Sequence, residues 1–192
     1  TSRVLSKRPV QQIVSEGDLR EQVLSYFEAD GVNSDDFMMF LLMVSNLRFQ
    51  VSEDGAPYLP LLQGLIAQEI YESTAASISR NLGTIKSQGI TQFLTITTVT
   101  NVDYDTTNKR WGATIVGNLN STIKKTKSGT SLVMPPTPYR AQVIVEEIPK
   151  SKLNPYGFFI LNPLEEHFGE EAVARFDRLM EERRAKLSGR KN

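Results

Sequence analysis

The chain has 192 residues, and 22 lysines and arginines balance 22 aspartates and glutamates, so the formal net charge is zero. That length suits one compact domain, or one domain with an appendage, and a hydrophobic content of 40% excludes wholesale disorder. Zero net charge argues against a dedicated nucleic-acid binder, and the absence of cysteine excludes disulfides, iron–sulfur clusters and cysteine zinc sites.

The zero is a cancellation. Residues 1–14 carry +3, residues 15–72 carry −9, residues 73–106 balance, residues 107–152 carry +6 and residues 153–192 balance. The longest apolar run, Phe37 to Val44, falls far short of the ~18 residues a membrane span needs. The chain begins at Thr1 rather than methionine, which reads as a processed or trimmed start with room for a membrane anchor upstream.

Residues 1–14 lack periodicity and read as an extended lead-in. A capping box at Ser15 to Asp18 opens a helix to about Glu28, with Leu19, Val23, Tyr26 and Phe27 on one side and Asp30-Gly31 ending it. Ser34-Asp35-Asp36 opens a second helix, apolar on most faces through Leu47 and so expected near the centre of the fold. Its three methionines are expected in the core, with an adaptable binding stripe as the other use. After a loop at residues 52–57, helical spacing runs from about Leu59 to Asn81, with a kink expected near Pro60 or Gly64 and Gly83 expected as the terminating glycine.

From Thr91 the period changes to two. Leu94, Ile96, Thr98, Thr100, Val102 and Tyr104 are expected on one strand face, and Asp105 to Asn108 form a turn. Arg110 to Lys124 returns with Trp111, Ala113, Ile115, Gly117 and Leu119 alternating. Three prolines between residues 135 and 138 mark an edge or loop. Tyr139 to Ile148 is a strand, residues 150–157 a loop, and Phe158 to Leu161 a short strand. Glu170 to about Leu187 reads as an amphipathic helix, acidic first and basic last, as the helix dipole favours. Helices followed by an antiparallel meander and a last helix give an α+β fold, the N-terminal helices packed on a curved antiparallel sheet. The organisation expected is a lead-in (1–14), an α+β domain (15–162), and a C-terminal helix and tail (163–192).

Chemistry is sparse. His167 is the single histidine, with no nucleophile elbow nearby, and reads as a surface residue. Phosphate-binding glycine loops are absent, and Glu165, Glu166, Glu170 and Glu171 have the ordinary placement of acids before and inside a helix start. No catalytic residue, metal site or cofactor is expected. Of Glu146 and Glu147, one could point into the sheet's concavity as a proton-transfer base, though one exposed acid and one paired with a lysine is the simpler reading. Lys124-Lys125-Thr126-Lys127, with Lys109 and Arg110, reads first as a solvated hairpin tip. Nucleic-acid binding and docking to an acidic protein surface are its other uses, and aromatic partners for base stacking are few.

Three segments carry a resemblance. Asn154-Pro155-Tyr156-Gly157-Phe158 is similar to the Asn-Pro-x-Gly-Phe loop before the last strand of the periplasmic domain of the inner-membrane assembly protein of type IV secretion systems. The strand Thr114 to Leu119, running into Lys124-Lys125, is similar to that of the TraE-like conjugation members. The apolar second helix followed by Pro57-Tyr58-Leu59-Pro60 is similar in layout. The resemblance covers about residues 30–162 and implies an NTF2-like fold. It also implies a non-enzymatic assembly protein, held in the periplasm by a membrane segment upstream of Thr1. Such a protein self-associates and contacts other secretion subunits, and touches a membrane only through that upstream segment. The implied contacts are the turn Asn154 to Phe158 together with Tyr139, Phe159, Lys124 and Lys125. The competing reading is an NTF2-like ligand-binding protein or enzyme using the sheet's cone as a pocket. It requires a dyad such as Glu147 with Tyr139 or Tyr104, and a cone left open by Leu94, Ile96 and Val143.

Overall fold

The computed structural model describes residues 34–189; the helix expected over residues 15–28 lies outside them. Helix α1 (Ser34–Phe49) has Asp35 and Asp36 in its first turn and Arg48 in its last, matching the dipole. It buries Phe37, Met38, Phe40, Leu41, Leu42 and Val44 and leaves only one narrow stripe outward. This all-round burial bears out the central position read from its composition.

The long helical pattern after it divides in two. A single 3₁₀ turn (Leu59–Leu62) carries Pro60, and helix α2 (Gln68–Gln88) starts six residues later. Between them the backbone runs beside the sheet: Ala67 N–H donates to Ile160 O at 2.9 Å, and Ile160 N–H to Leu65 O at 3.0 Å. Backbone groups committed to the sheet cannot also close helical turns, which is why the helix begins late. Gly83 lies inside α2; the helix ends at Gly89, whose φ of 59° and ψ of 50° form the left-handed cap.

The six-stranded antiparallel sheet comprises β1 (Ile90–Asp105), β2 (Arg110–Ile123), β3 (Leu132–Val133), β4 (Thr137–Glu147), β5 (Phe158–Ile160) and β6 (Glu165–Phe168). The strand order is β1-β2-β4-β5, with β3 continuing alongside β2 and β6 alongside β4. In β2 the alternation read from the sequence holds: Trp111, Ala113 and Ile115 are buried. Opposite them in β4 stand Val145, Val143 and Ala141, also buried.

In β1 the simple period fails. The register slips by one residue between Ile96 and Thr98 and again between Thr100 and Asp103. Each slip is a bulge that turns the following side chains to the other face. Val99 therefore takes the inward place expected of Thr98, and the second bulge returns Tyr104 to the face of Trp111.

Strand β6 is absent from the sequence reading because Glu165-Glu166-His167-Phe168 has no apolar alternation. It pairs with β4 from Tyr139↔Phe168 to Gln142↔Glu165. Helix α3 (Glu170–Ser188) lies over the opposite face of the sheet from α1. Val173 and Phe176 are buried, and Arg140 reaches Asp177 at 3.2 Å. His167 is half-buried, its ring 4.8 Å from that of Phe176. The chain is therefore layered: α1 in the concavity, the sheet around it, and α3 outside.

Candidate functional site

The turn at Asn154 to Phe158 is held from within. Asn154 Nδ2 donates to Phe158 O at 2.6 Å and to Gly64 O at 3.0 Å, while its Oδ1 accepts from Gly157 N–H at 3.0 Å. At 2% exposure the Asn154 side chain satisfies three backbone groups, two of them in fully buried bonds. Gly157 has φ 77°, and a Cβ there would lie 3.2 Å from Ile148 O. Only glycine adopts that conformation without strain. Local turn chemistry thus fixes the motif, and Gly64 ties it to the segment after the 3₁₀ turn.

The turn sorts its aromatic residues. Phe158 is buried against Phe37 and Phe40, with ring centroids 6.3 and 5.6 Å apart, and Phe159 is half-buried. Tyr156 stays 43% exposed with its ring 6.1 Å from Phe40. Between this turn and the outer stripe of α1 lies a groove of about 310 Å³, with Met39, Phe40 and Met43 on one wall and Pro155, Tyr156 and Lys150 on the other. Of the three methionines of α1, Met38 is core, while Met39 and Met43 border the groove.

Tyr139 sits elsewhere. It is 2% exposed and points into the concavity, where its hydroxyl donates to Glu166 Oε1 at 2.7 Å. Arg48 pairs with the same carboxylate, its Nη2 donating to Oε2 at 2.9 Å and its Nε to Thr74 Oγ1 at 3.1 Å. Burial weakens the Arg48 charge, but the hydrogen bond and charge of Glu166 outweigh it and raise the pKa. Burial first, and the charge of Glu166 second, push the Tyr139 phenol well above its usual range. The structure gives Tyr139 an internal partner rather than an exposed contact. Glu166, read from sequence as an ordinary acid near a helix start, is instead a strand residue bonded to Arg48 and Tyr139, and for Arg48 the available signal was a base near the end of an otherwise apolar helix.

The lysines are partly engaged. Lys124 Nζ reaches Glu53 at 3.0 Å, and this hydrogen bond and charge hold the Glu53 carboxyl below its usual range. Lys125 Nζ donates to Lys86 O at 3.1 Å, at the negative end of α2. These contacts anchor the β2 end to α2 and to the loop that carries Glu53, which differs from a free hairpin tip.

The concavity is filled. Leu94, Ile96 and Val143 are 3%, 1% and 3% exposed, and the space left beside Tyr139 is about 10 Å³. That admits at most about one water. Glu146 faces out toward Arg110 at 3.7 Å, correcting the lysine pairing expected for this acid pair. Glu147 faces inward, where it accepts from Trp111 Nε1 at 3.0 Å. Tyr104 lies close enough that burial and the Glu147 charge raise its pKa. The Glu147 pairing needed for a catalytic cone is thus used in packing Trp111, which also stacks on Phe37 at 4.7 Å. Among the described residues no group of acids and histidine could hold a metal ion.

The helices, the curved antiparallel sheet and its filled concavity define an α+β domain with a packed interior. No protein-family model and no curated protein matches the sequence. Solved structures do match. TraE in complex with 4-(1H-pyrrol-1-yl)pyridine-2-carboxylic acid superposes with a TM-score of 0.51 at 16% identity, over 72% of this chain and 98% of that one. The periplasmic domain of DotI gives 0.50 at 12% identity, over 72% and 97%. The expected likeness to TraE-like domains therefore holds at the level of the fold.

Proposed function

We propose that the chain is a non-enzymatic scaffold domain of a bacterial type IV secretion system of the conjugative kind. It works in the periplasm, tethered to the inner membrane by a segment before Thr1, and binds copies of itself and other secretion subunits. The observation that carries this reading is a fold match over 97–98% of the TraE and DotI chains. The family motifs in the Asn154 turn and the Thr114–Leu119 strand support it independently. The packed cone removes the space that a catalytic or ligand-binding NTF2-like protein needs. Among the described residues no helix is long and apolar enough to cross a membrane.

The expected contacts fall in two places: Tyr156, the half-buried Phe159 and the exposed Leu153 at the turn, and the basic pair Lys124–Lys125 past the far end of β2. Opposite charges in different parts of the chain favour oriented rather than indiscriminate contacts. The test is transfer of a conjugative plasmid, or secretion of a reporter, from the native host lacking this gene. Complementation by the full protein, together with crosslinking to other secretion subunits, is expected. Folded Tyr156→Ala and Lys124→Glu/Lys125→Glu variants are expected to complement at least tenfold less well. Undiminished transfer in the deletion strain would overturn the reading.

A further inference from the structure

The connection from β2 to β4 carries an apolar edge that the core does not use. Every residue from Lys127 to Thr137 is exposed. Within that run Leu132, Val133 and Met134 are 50%, 75% and 37% exposed, and Pro135 and Pro136 extend the apolar stretch. Single apolar side chains are ordinary on a protein surface, but a continuous exposed run marks a contact that something apolar completes. The edge lies at the Ile123 end of β2. Helix α1 begins at the other end, where Phe37 stacks on Trp111, so this edge is separate from the groove beside the Asn154 turn.

We infer that this edge, Leu132 to Pro136, seats in the surface of an anionic lipid bilayer. Three observations favour lipid over a protein partner. First, the apolar side chains point both ways. Leu132 stands opposite Ile123 and Val133 opposite Thr122, and successive strand residues face opposite sides of a sheet. Strand β3 pairs with β2 alone, so the edge is open on both faces and along its outer side. A docked protein covers one face of a strand, whereas a bilayer surrounds what enters it. Second, the edge is a poor template for a further strand. Strand β3 has only two residues, Met134 N–H is already given to Ser121 O at 2.9 Å, and Pro135 and Pro136 have no N–H to offer. The missing donors also ease dehydration, because an unpaired amide is what an apolar layer penalises.

Third, the charges agree. Residues 121–138 carry Lys124, Lys125 and Lys127 and no acid. Lys125 reaches the end of α2, which adds Lys86, while Glu53 offsets Lys124. Lysines beside an apolar edge suit anionic headgroups, and their attraction falls off within a Debye length. The polar turn between the lysines and the edge is self-contained. Gly129 N–H donates to Thr126 O at 3.0 Å, the hydroxyls of Ser128 and Thr130 lie 2.8 Å apart, and Thr126 Oγ1 donates to Thr130 O. Groups bonded to one another lose little where water thins at the headgroups. Apolar side chains reaching roughly 5–10 Å into the boundary, with bases at the rim, are how interfacial segments hold to a bilayer. This contact departs from the expectation that a membrane is touched only through a segment upstream of Thr1. It uses none of the turn residues of the assembly reading and stands whether or not that reading holds.

The test is sedimentation of the full chain with vesicles of phosphatidylcholine, alone or mixed with phosphatidylglycerol at a ~3:1 ratio. Binding to the mixed vesicles only is expected, weakening at least tenfold as salt rises from about 0.1 to about 0.5 M. Leu132→Asp/Val133→Asp, at positions already exposed, is expected to weaken binding at least tenfold while far-ultraviolet dichroism stays unchanged. Lys127→Glu is expected to act in the same direction. Equal binding by the parent and the double variant overturns the proposal, as does no binding to mixed vesicles at lipid on the order of millimolar. The cysteine-free chain allows a second readout that keeps the native edge nearly intact. An environment-sensitive dye on Val133→Cys is expected to shift to the blue on mixed vesicles and to be quenched by spin labels in the bilayer. The same dye on Leu187→Cys, exposed at the end of α3, is expected to do neither. Equal shifts at the two positions overturn the proposal. So does a dye at Val133 that responds to rising protein concentration but not to vesicles, which would show that a second copy covers the edge.

Discussion

Arg48, in the last turn of α1, grips Glu166, in the middle of β6, with both terminal nitrogens of its guanidinium, and the side chains are only 12% and 16% exposed. The two residues are 118 positions apart. Tyr139 donates to the same carboxylate and Thr74 accepts from Arg48, so one buried network joins α1, α2, β4 and β6. A bidentate guanidinium–carboxylate pair is directional, and it fixes how the last strand closes the sheet over the helix.

Removing Glu166 leaves a buried cation and a buried phenol without their acceptor. Glu166→Ala is expected to cost about 3 kcal/mol of unfolding free energy. Glu165→Ala, which loses only a half-exposed contact to His167, should stay within about 0.5 kcal/mol of the parent. Urea titration followed by fluorescence of the single, buried Trp111 measures both.

The Tyr139 phenol has a folded pKa raised above its ordinary value of 10.0. The folded state then holds a proton that the unfolded state releases, so this contribution is complete below pH 10 and declines as pH rises further. Unfolding free energy measured between pH 8 and pH 11 should fall more steeply for the parent than for Tyr139→Phe. Parallel slopes would contradict the buried phenol.

Gly83 and Gly89 are predicted to respond with opposite sign. Nothing lies within 4 Å of a Cβ built on Gly83, which is inside α2, so Gly83→Ala should stabilise by about 0.5–1 kcal/mol. Gly89 has φ 59° and the Lys124 Cβ would lie 3.3 Å from its own, so Gly89→Ala should destabilise by about 1 kcal/mol. Thermal unfolding of the two variants side by side decides which glycine ends the helix.

Asn154→Ala strands two backbone carbonyls and one N–H in a buried turn, and a loss of about 3 kcal/mol is expected. Asn154→Asp should be at least as damaging at neutral pH, because a carboxylate cannot donate to Gly64 O or Phe158 O. It should recover in part at acidic pH, where the protonated acid regains one donor. Denaturation midpoints at pH 4 and pH 7 test this.

Much of the scaffold was legible in the sequence. The apolar α1, the alternation of β2 and β4, and the Asn-Pro-x-Gly turn each depend on residues a few positions apart, so the pattern and the structure coincide there. The late start of α2 was not legible, because residues 65–67 give their backbone groups to Ile160, far along the chain. The candidate contacts divided the same way. The turn stood where expected, but Tyr139 could not be told from an exposed aromatic until β6 supplied Glu166.

By itself, then, the sequence determined the α+β order, the inward face of the central strands, the absence of cysteine chemistry and the shape of the turn. These follow from helical and strand periods, turn propensities and composition, which act over short windows. Tertiary structure decided the two register slips in β1, the existence of β6, the Arg48–Glu166 pair and the groove beside Met39. Each arises only when distant segments meet, and a polar strand or a lone arginine carries no local mark of the partner that will bury it.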